Sequence, residues 1–146
     1  MDRKQFIRTC SLLAVGTPLA GVGLNGCGTT QYLASSVWSG KKLVIRKSEF
    51  VIKKGKKIKM RKFVIAAIPG LEFPICIYRH PDENYIALDT RCPHGGCGVN
   101  AMPSLLVCPC HGSEFSNTGK VLRPPAENDL NQFDLTQDDE NIYVHI

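Results

Sequence analysis

Two short stretches hold six of the eleven Cys and His side chains in this chain. Cys92-Pro93-His94-Gly95-Gly96-Cys97 and Cys108-Pro109-Cys110-His111-Gly112-Ser113 carry four of its seven cysteines among them, with Cys97 in the first and Cys110 in the second, and two of its four histidines. Thiolate and imidazole are both ligands for zinc and for iron. Six such groups exceed what one tetrahedral ion can take. A mononuclear zinc site would use four of the six, although zinc pairs usually come with longer, hairpin-like spacings. The other division takes one Cys and one His from each stretch as a four-ligand set. It leaves one Cys from each stretch for a disulfide.

Either arrangement needs a frame that holds two loops side by side. The chain has 146 residues, 43% of them hydrophobic, which suits one small domain. With 13 Gly and 9 Pro the runs between turns are short and rich in Val and Ile, which leans all-β. From Lys41 to Ile68 apolar residues alternate with charge, the period-2 signal of antiparallel strands, around a lysine-rich turn at Gly55. Further strands are expected at Pro74–Arg79, Tyr85–Asp89, Leu105–Cys108 and Asn141–Ile146, and another at 131–135. The pattern predicts an antiparallel β sandwich or small barrel with a long excursion at 90–126.

The two stretches resemble the cluster-binding loops of Rieske iron–sulfur proteins. The similarity is most specific over residues 92–113 and extends in pattern over about 41–146. It implies a Rieske-type fold with an inserted cluster-binding subdomain and one [2Fe-2S] cluster per chain. It further implies that Cys92 and Cys108 hold one iron, that His94 and His111 hold the other, and that Cys97 and Cys110 form a disulfide. That disulfide points to the respiratory branch of the family. Closing a loop of this length is worth roughly 3 kcal/mol in the chain-entropy picture.

In such a site two neutral imidazoles replace two thiolates, so the oxidised unit carries about zero net charge and accepts an electron readily. Each imidazole keeps one N–H facing outward. That proton can leave with the electron, so the potential should fall as pH rises, a property suited to a quinol donor. Ser113 matches the serine that hydrogen-bonds a bridging sulfide and raises the potential. Two positions depart from the respiratory pattern. Phe115 stands where a hydrogen-bonding Tyr is common, which predicts a somewhat lower potential. Gly95 stands where a bulky Leu often follows the liganding His. Arg123-Pro124-Pro125-Ala126 resembles the proline loop that covers the cluster.

The first twenty-seven residues read as an export signal or membrane anchor. Arg3-Lys4-Gln5-Phe6-Ile7 resembles a twin-arginine signal with Lys in place of the second Arg. Residues 10–26 are uncharged and short for a bilayer span. Leu24-Asn25-Gly26-Cys27 resembles a lipobox, which makes Cys27 a lipidation candidate; an uncleaved anchor helix is the other reading. Residues 28–40 read as a tether, with Trp38 as an interfacial candidate, and 41–146 as the domain.

Charge is segregated. Lys41 to Lys62 holds eleven Lys/Arg against one Glu, whereas residues 63–146 hold four against eleven Asp/Glu. The lysines could simply line solvent and guard edge strands, or they could meet anionic lipid headgroups. The acidic remainder could steer a partner.

Together these readings predict a one-electron carrier, a subunit of an oxidoreductase rather than an enzyme by itself. It would sit on the extracytoplasmic, periplasmic side of a bacterial membrane. Its expected partners are the membrane, a redox protein such as a cytochrome, and quinol, with no nucleic acid. The alternatives are the small electron-transfer subunit of a periplasmic oxidoreductase and a zinc-stabilised binding module. Cys76, in an apolar strand, reads as a buried free thiol, His80 as a turn residue and His145 as a surface strand position.

Overall fold

The computed structural model describes residues 32–146, so the leader and Cys27 lie outside the described residues. Fourteen strands follow one another. They are β1 (Ser36–Ser39), β2 (Lys42–Arg46), β3 (Val51–Lys54), β4 (Lys57–Met60), β5 (Phe63–Ala66), β6 (Ile75–Arg79) and β7 (Tyr85–Asp89). Then come β8 (Asn100–Ala101), β9 (Leu105–Val107), β10 (Glu114–Ser116), β11 (Val121–Arg123), β12 (Gln132–Phe133), β13 (Leu135–Gln137) and β14 (Asn141–His145).

Three antiparallel sheets and one separate hairpin result. The orders are β1-β2-β14-β13, β12-β7-β6-β5 and β11-β10-β9-β8, with β3 paired only to β4. The second sheet lies between two cores, and its sequence shows why. β5 reads Phe-Val-Ile-Ala and β6 Ile-Cys-Ile-Tyr, continuous apolar runs that strands adopt when both faces are covered. Val64, Ala66, Ile75, Ile77 and Ala87 point one way, onto Leu43, Ile45, Ile142 and Val144 of the first sheet. Phe63, Ile65, Cys76, Tyr78 and Leu88 point the other way, onto Leu106, Phe115 and the buried Cys92 and Cys108. The excursion at 90–126 is therefore a third layer that shares the central sheet. The all-β antiparallel expectation holds, with this layering added.

Some boundaries differ from the sequence reading. Residues 36–39, read as tether, form β1, which pairs with β2 from Ser36↔Ile45 to Ser39↔Lys42. The chain joins the domain still earlier, through a bridge between Leu33 and Ile65. The single strand expected at 131–135 is two short ones. Gln132–Phe133 pairs with β7 and Leu135–Gln137 with β14, so the chain turns a corner between sheets at Asp134.

Tyr78 ties the third layer to the central sheet: its hydroxyl donates to the carbonyls of Met102 (2.7 Å) and Leu105 (3.1 Å). Cys76 is fully buried beside it, and that burial pushes its thiol well above the ordinary range. No helix among the described residues is long and apolar enough to cross a membrane.

Candidate metal centre

β7 runs directly into the first loop, residues 90–99, and β9 into the second, residues 108–113. Thr90 fixes the first departure: it is buried, and its hydroxyl donates to the Pro74 carbonyl at 2.6 Å. The Arg91 amide donates to Asp89 Oδ1 (2.9 Å), and an Arg91–Gly98 bridge closes the loop's neck.

The two loops share one backbone design. The Cys92 amide donates to the Cys97 carbonyl and the Cys108 amide to the Ser113 carbonyl, both at 2.8 Å. In return the Cys92 carbonyl accepts from the Gly96 amide (2.8 Å) and the Cys108 carbonyl from the Gly112 amide (3.0 Å). Both closures need a left-handed residue, and Gly96 (φ 74°) and Gly112 (φ 77°) supply it without a Cβ penalty.

Side chains sort by depth. Cys92 and Cys108 are free thiols, each 1% exposed, at the floor of the site. His94 and His111 are exposed at its rim, their ring centroids 5.0 Å apart and their planes at 89°. Burial raises the Cys92 thiol above its ordinary range, while backbone N–H groups of His94 and Gly95 aimed at the sulfur oppose that rise. A group bearing negative charge on sulfur would meet those same donors.

Cys97 and Cys110 are joined, with their Cα atoms 6.5 Å apart and thirteen positions apart in sequence. The sulfurs of Cys97, Cys108 and Cys110 all lie within 4.8 Å of one another. Two of these are bonded together and no longer offer thiolates, so that trio is not a three-sulfur metal site. What remains free in the two loops is two buried thiols and two exposed imidazoles. That donor set fits a cluster that takes two Cys and two His, with a soft inner end and a hydrated outer end.

Ser113 is wholly buried, and its hydroxyl oxygen accepts the Ala126 amide at 3.0 Å. The contact pins the Pro124–Pro125 segment over the second loop and leaves the hydroxyl proton free for a partner in the site. The covering role expected of Arg123–Ala126 thus has its hydrogen bond at Ser113, a partner thirteen residues away with no local signature. Phe115 is 0% exposed beneath the loops, in the position read as the missing Tyr. A Cβ on Gly95 would stand 3.7 Å from His111 Cε1, ordinary contact distance, so the ring faces only backbone there. A cleft of about 450 Å³ opens beside His94, lined by Pro93, Pro125, Glu127 and Asn128.

Comparison with known proteins agrees with this geometry. The Rieske [2Fe-2S] domain family matches residues 41–134. The cytochrome b6-f complex iron-sulfur subunit of Synechococcus sp. (strain JA-3-3Ab) is 44% identical over 61 residues, 40% of this chain and 35% of that protein. The same subunit of Synechococcus elongatus is 32% identical over 105 residues, 62% of this chain and 58% of that protein. The chain thus spans between a third and three-fifths of these relatives. Among solved structures, the plasma membrane Rieske protein of Synechocystis PCC 6803 aligns with a TM-score of 0.52 at 33% identity, covering 58% of this chain and 87% of that one. A shared double-loop frame, a disulfide across it and a family match over the whole excursion lead to one conclusion: the chain belongs to the Rieske [2Fe-2S] family, whose domain holds one such cluster.

Proposed function

We propose that this chain is the one-electron relay of an extracytoplasmic, membrane-tethered redox system. In this reading Cys92 and Cys108 hold one iron of the cluster, and His94 and His111 hold the other. The observation that carries the assignment is the sorting of side chains: two buried free thiols below, two exposed imidazoles 5.0 Å apart above, and the remaining loop cysteines consumed by each other. When bound, the cluster supplies reversible one-electron chemistry at a potential raised by its neutral imidazoles.

The protein's own residues do the rest. Backbone N–H groups of His94 and Gly95 stabilise negative charge at Cys92. Ser113 keeps its hydroxyl proton available at the buried end while holding Ala126 in place. The exposed imidazoles offer outward N–H groups to a partner, so a proton can move with the electron. His94 and His111 are the two residues a quinol could hydrogen-bond.

Membrane attachment through residues 1–27, with Cys27 as the lipidated residue, is part of this reading. The leader's composition supports it, as do relatives named as subunits of a cytochrome complex and as a plasma membrane protein. A quinol-oxidising cytochrome complex is the first assembly proposed. The small subunit of a periplasmic oxidoreductase is the second, favoured by Gly95, which leaves His111 without the bulky neighbour found next to many quinol sites.

Potentiometric titration of the purified protein over a range of pH tests the relay. A midpoint that falls by about 60 mV per pH unit in alkali is expected where one proton accompanies one electron. A pH-independent midpoint would exclude coupled transfer through the imidazoles. Mass spectrometry of the mature N-terminus tests the anchor: lipid on Cys27 supports it, and an unmodified internal Cys27 excludes lipidation there.

A further inference from the structure

The β3–β4 hairpin stands apart from every function described so far. It pairs with no other strand, and residues 53–60 are all exposed. Five of these eight are lysines, Lys53, Lys54, Lys56, Lys57 and Lys59, and among the described residues none of them is in an ion pair.

Register sorts the hairpin into two faces. Val51↔Met60 and Lys53↔Ile58 lie on one; Ile52↔Lys59 and Lys54↔Lys57 lie on the other. Lys54 and Lys57 are therefore directly opposed like charges, which weakens a β ribbon. Ile58 is 69% exposed and Met60 41%. Lysines alone would explain a guarded edge. Neither the opposed lysines nor the exposed Ile and Met serve that purpose. All three fit a surface that is anionic outside and apolar just beneath.

The hairpin is also held where the chain enters the domain. Arg61, directly after β4, lays its guanidinium 3.6 Å from the centre of the Tyr32 ring. Its Nη1 donates to the carbonyls of Glu49 (2.8 Å) and Val51 (3.0 Å), the residues flanking the start of β3. The Tyr32 hydroxyl donates to Glu49 Oε2 at 2.8 Å, and that oxygen also accepts the Ser35 amide at 3.2 Å. Tyr32 is five residues from Cys27, a reach of at most about 18 Å. The hairpin itself extends roughly 13 Å, so any anchor in the leader brings its lysines close to the headgroups.

We propose that the β3–β4 hairpin is a membrane-surface docking element. The ribbon lies flat in the headgroup layer, with Lys54, Lys57 and Lys59 on its outward face among anionic phospholipid headgroups and Ile58 and Met60 on the opposite face against the upper acyl carbons. Docking would fix the domain's orientation on the bilayer. The first cluster loop leaves the central sheet at Asp89, beside Ile75. The hairpin enters it at the other end, beside Tyr78. The inference rests on the tether only for proximity; the hairpin's preference for anionic lipid stands by itself.

The test uses the full, cluster-loaded chain with phosphatidylcholine vesicles, with and without a minority of phosphatidylglycerol. Binding should strengthen on the anionic vesicles and weaken with salt. A variant with Lys53→Gln, Lys54→Gln, Lys57→Gln and Lys59→Gln should keep the cluster's absorbance. It should lose the anionic preference by about a hundredfold or more, since each lysine at such a surface contributes about fivefold. Ile58→Ser should lower binding several-fold on anionic vesicles. An anionic preference unchanged in the lysine variant overturns the proposal. So does a lysine-dependent affinity for an acidic protein or polymer with none for vesicles. Failure of the tether has a different signature: no partition into neutral vesicles, with the lysine-dependent anionic preference intact.

Discussion

The two loops of the metal centre have the same backbone and different chemistry. Cys92 and Cys108, Gly96 and Gly112, and Cys97 and Ser113 occupy equivalent positions in the two closures. Yet histidine stands third in the first loop, His94, and fourth in the second, His111. Cys110 takes the position equivalent to His94. The offset lets two copies of one frame face each other without being identical. The imidazoles meet at the rim, and the spare cysteines, last in one loop and third in the other, come within bonding distance. Symmetry builds the frame, and its breaking separates ligands from cross-link.

Exchanging the offset is the severest way to break this comparison. The double change Cys110→His and His111→Cys restores perfect correspondence of His between the loops but removes both a proposed ligand and the disulfide. Complete loss of cluster absorbance is expected; a retained cluster would show that position within the frame does not select the ligands. Next in size, Cys97→Ser or Cys110→Ser leaves all four proposed ligands and removes only the clamp. Denaturant unfolding of the loaded protein should show a loss of about 2–5 kcal/mol. No loss would mean that the frame holds the loops together unaided.

Ser113→Ala removes the one buried hydroxyl where the first loop has a disulfide cysteine. The Ala126 amide then lacks its acceptor, and a loss of roughly 1–3 kcal/mol is expected, together with a lower midpoint potential. An unchanged potential would remove Ser113 from the site's electrostatics. Smaller still, Phe115→Tyr places a hydroxyl beneath the loops and should raise the potential by donating to a ligand sulfur; spectroelectrochemistry reads the shift directly, and an unchanged midpoint would show that position 115 does not reach the site.

The smallest effect lies outside both loops. Tyr143 donates to Asp138 at 2.5 Å, and the amides of Asn141 and Glu140 add two more bonds, holding the Asp138 carboxyl down to about 2. A depressed carboxyl stabilises the fold above its ordinary range, and that contribution fades as pH falls towards about 2. Asp138→Asn should therefore lower thermal stability slightly at neutral pH and converge with the parent in acid. A constant difference at all pH values would contradict the assignment.

The loops were legible because ligand chemistry writes itself into residue identity and spacing. The strands at Tyr85–Asp89 and near Ile75–Arg79 and Asn141–His145 were legible because turn residues bound their apolar runs. Ser36–Ser39 was not, because Ser-Val-Trp-Ser has little pattern of its own and becomes a strand by pairing with β2. The break at Asp134 escaped for the same kind of reason: two short strands that change sheets look like one run. The double burial of β5 and β6 was visible as unbroken apolar sequence, but only the third layer explains it. The Ser113–Ala126 link and the Arg61–Tyr32 clasp are long-range contacts with no local signature.

The proposed ligand set can be read most directly from the reduced protein grown with ¹⁵N-histidine, by pulsed electron paramagnetic resonance. Two distinct histidine nitrogens coupled to the cluster spin are expected in the parent, and their loss together with the cluster in His94→Ala and in His111→Ala. A paramagnetic cluster without histidine coupling, or a colourless protein holding one zinc, would contradict the account.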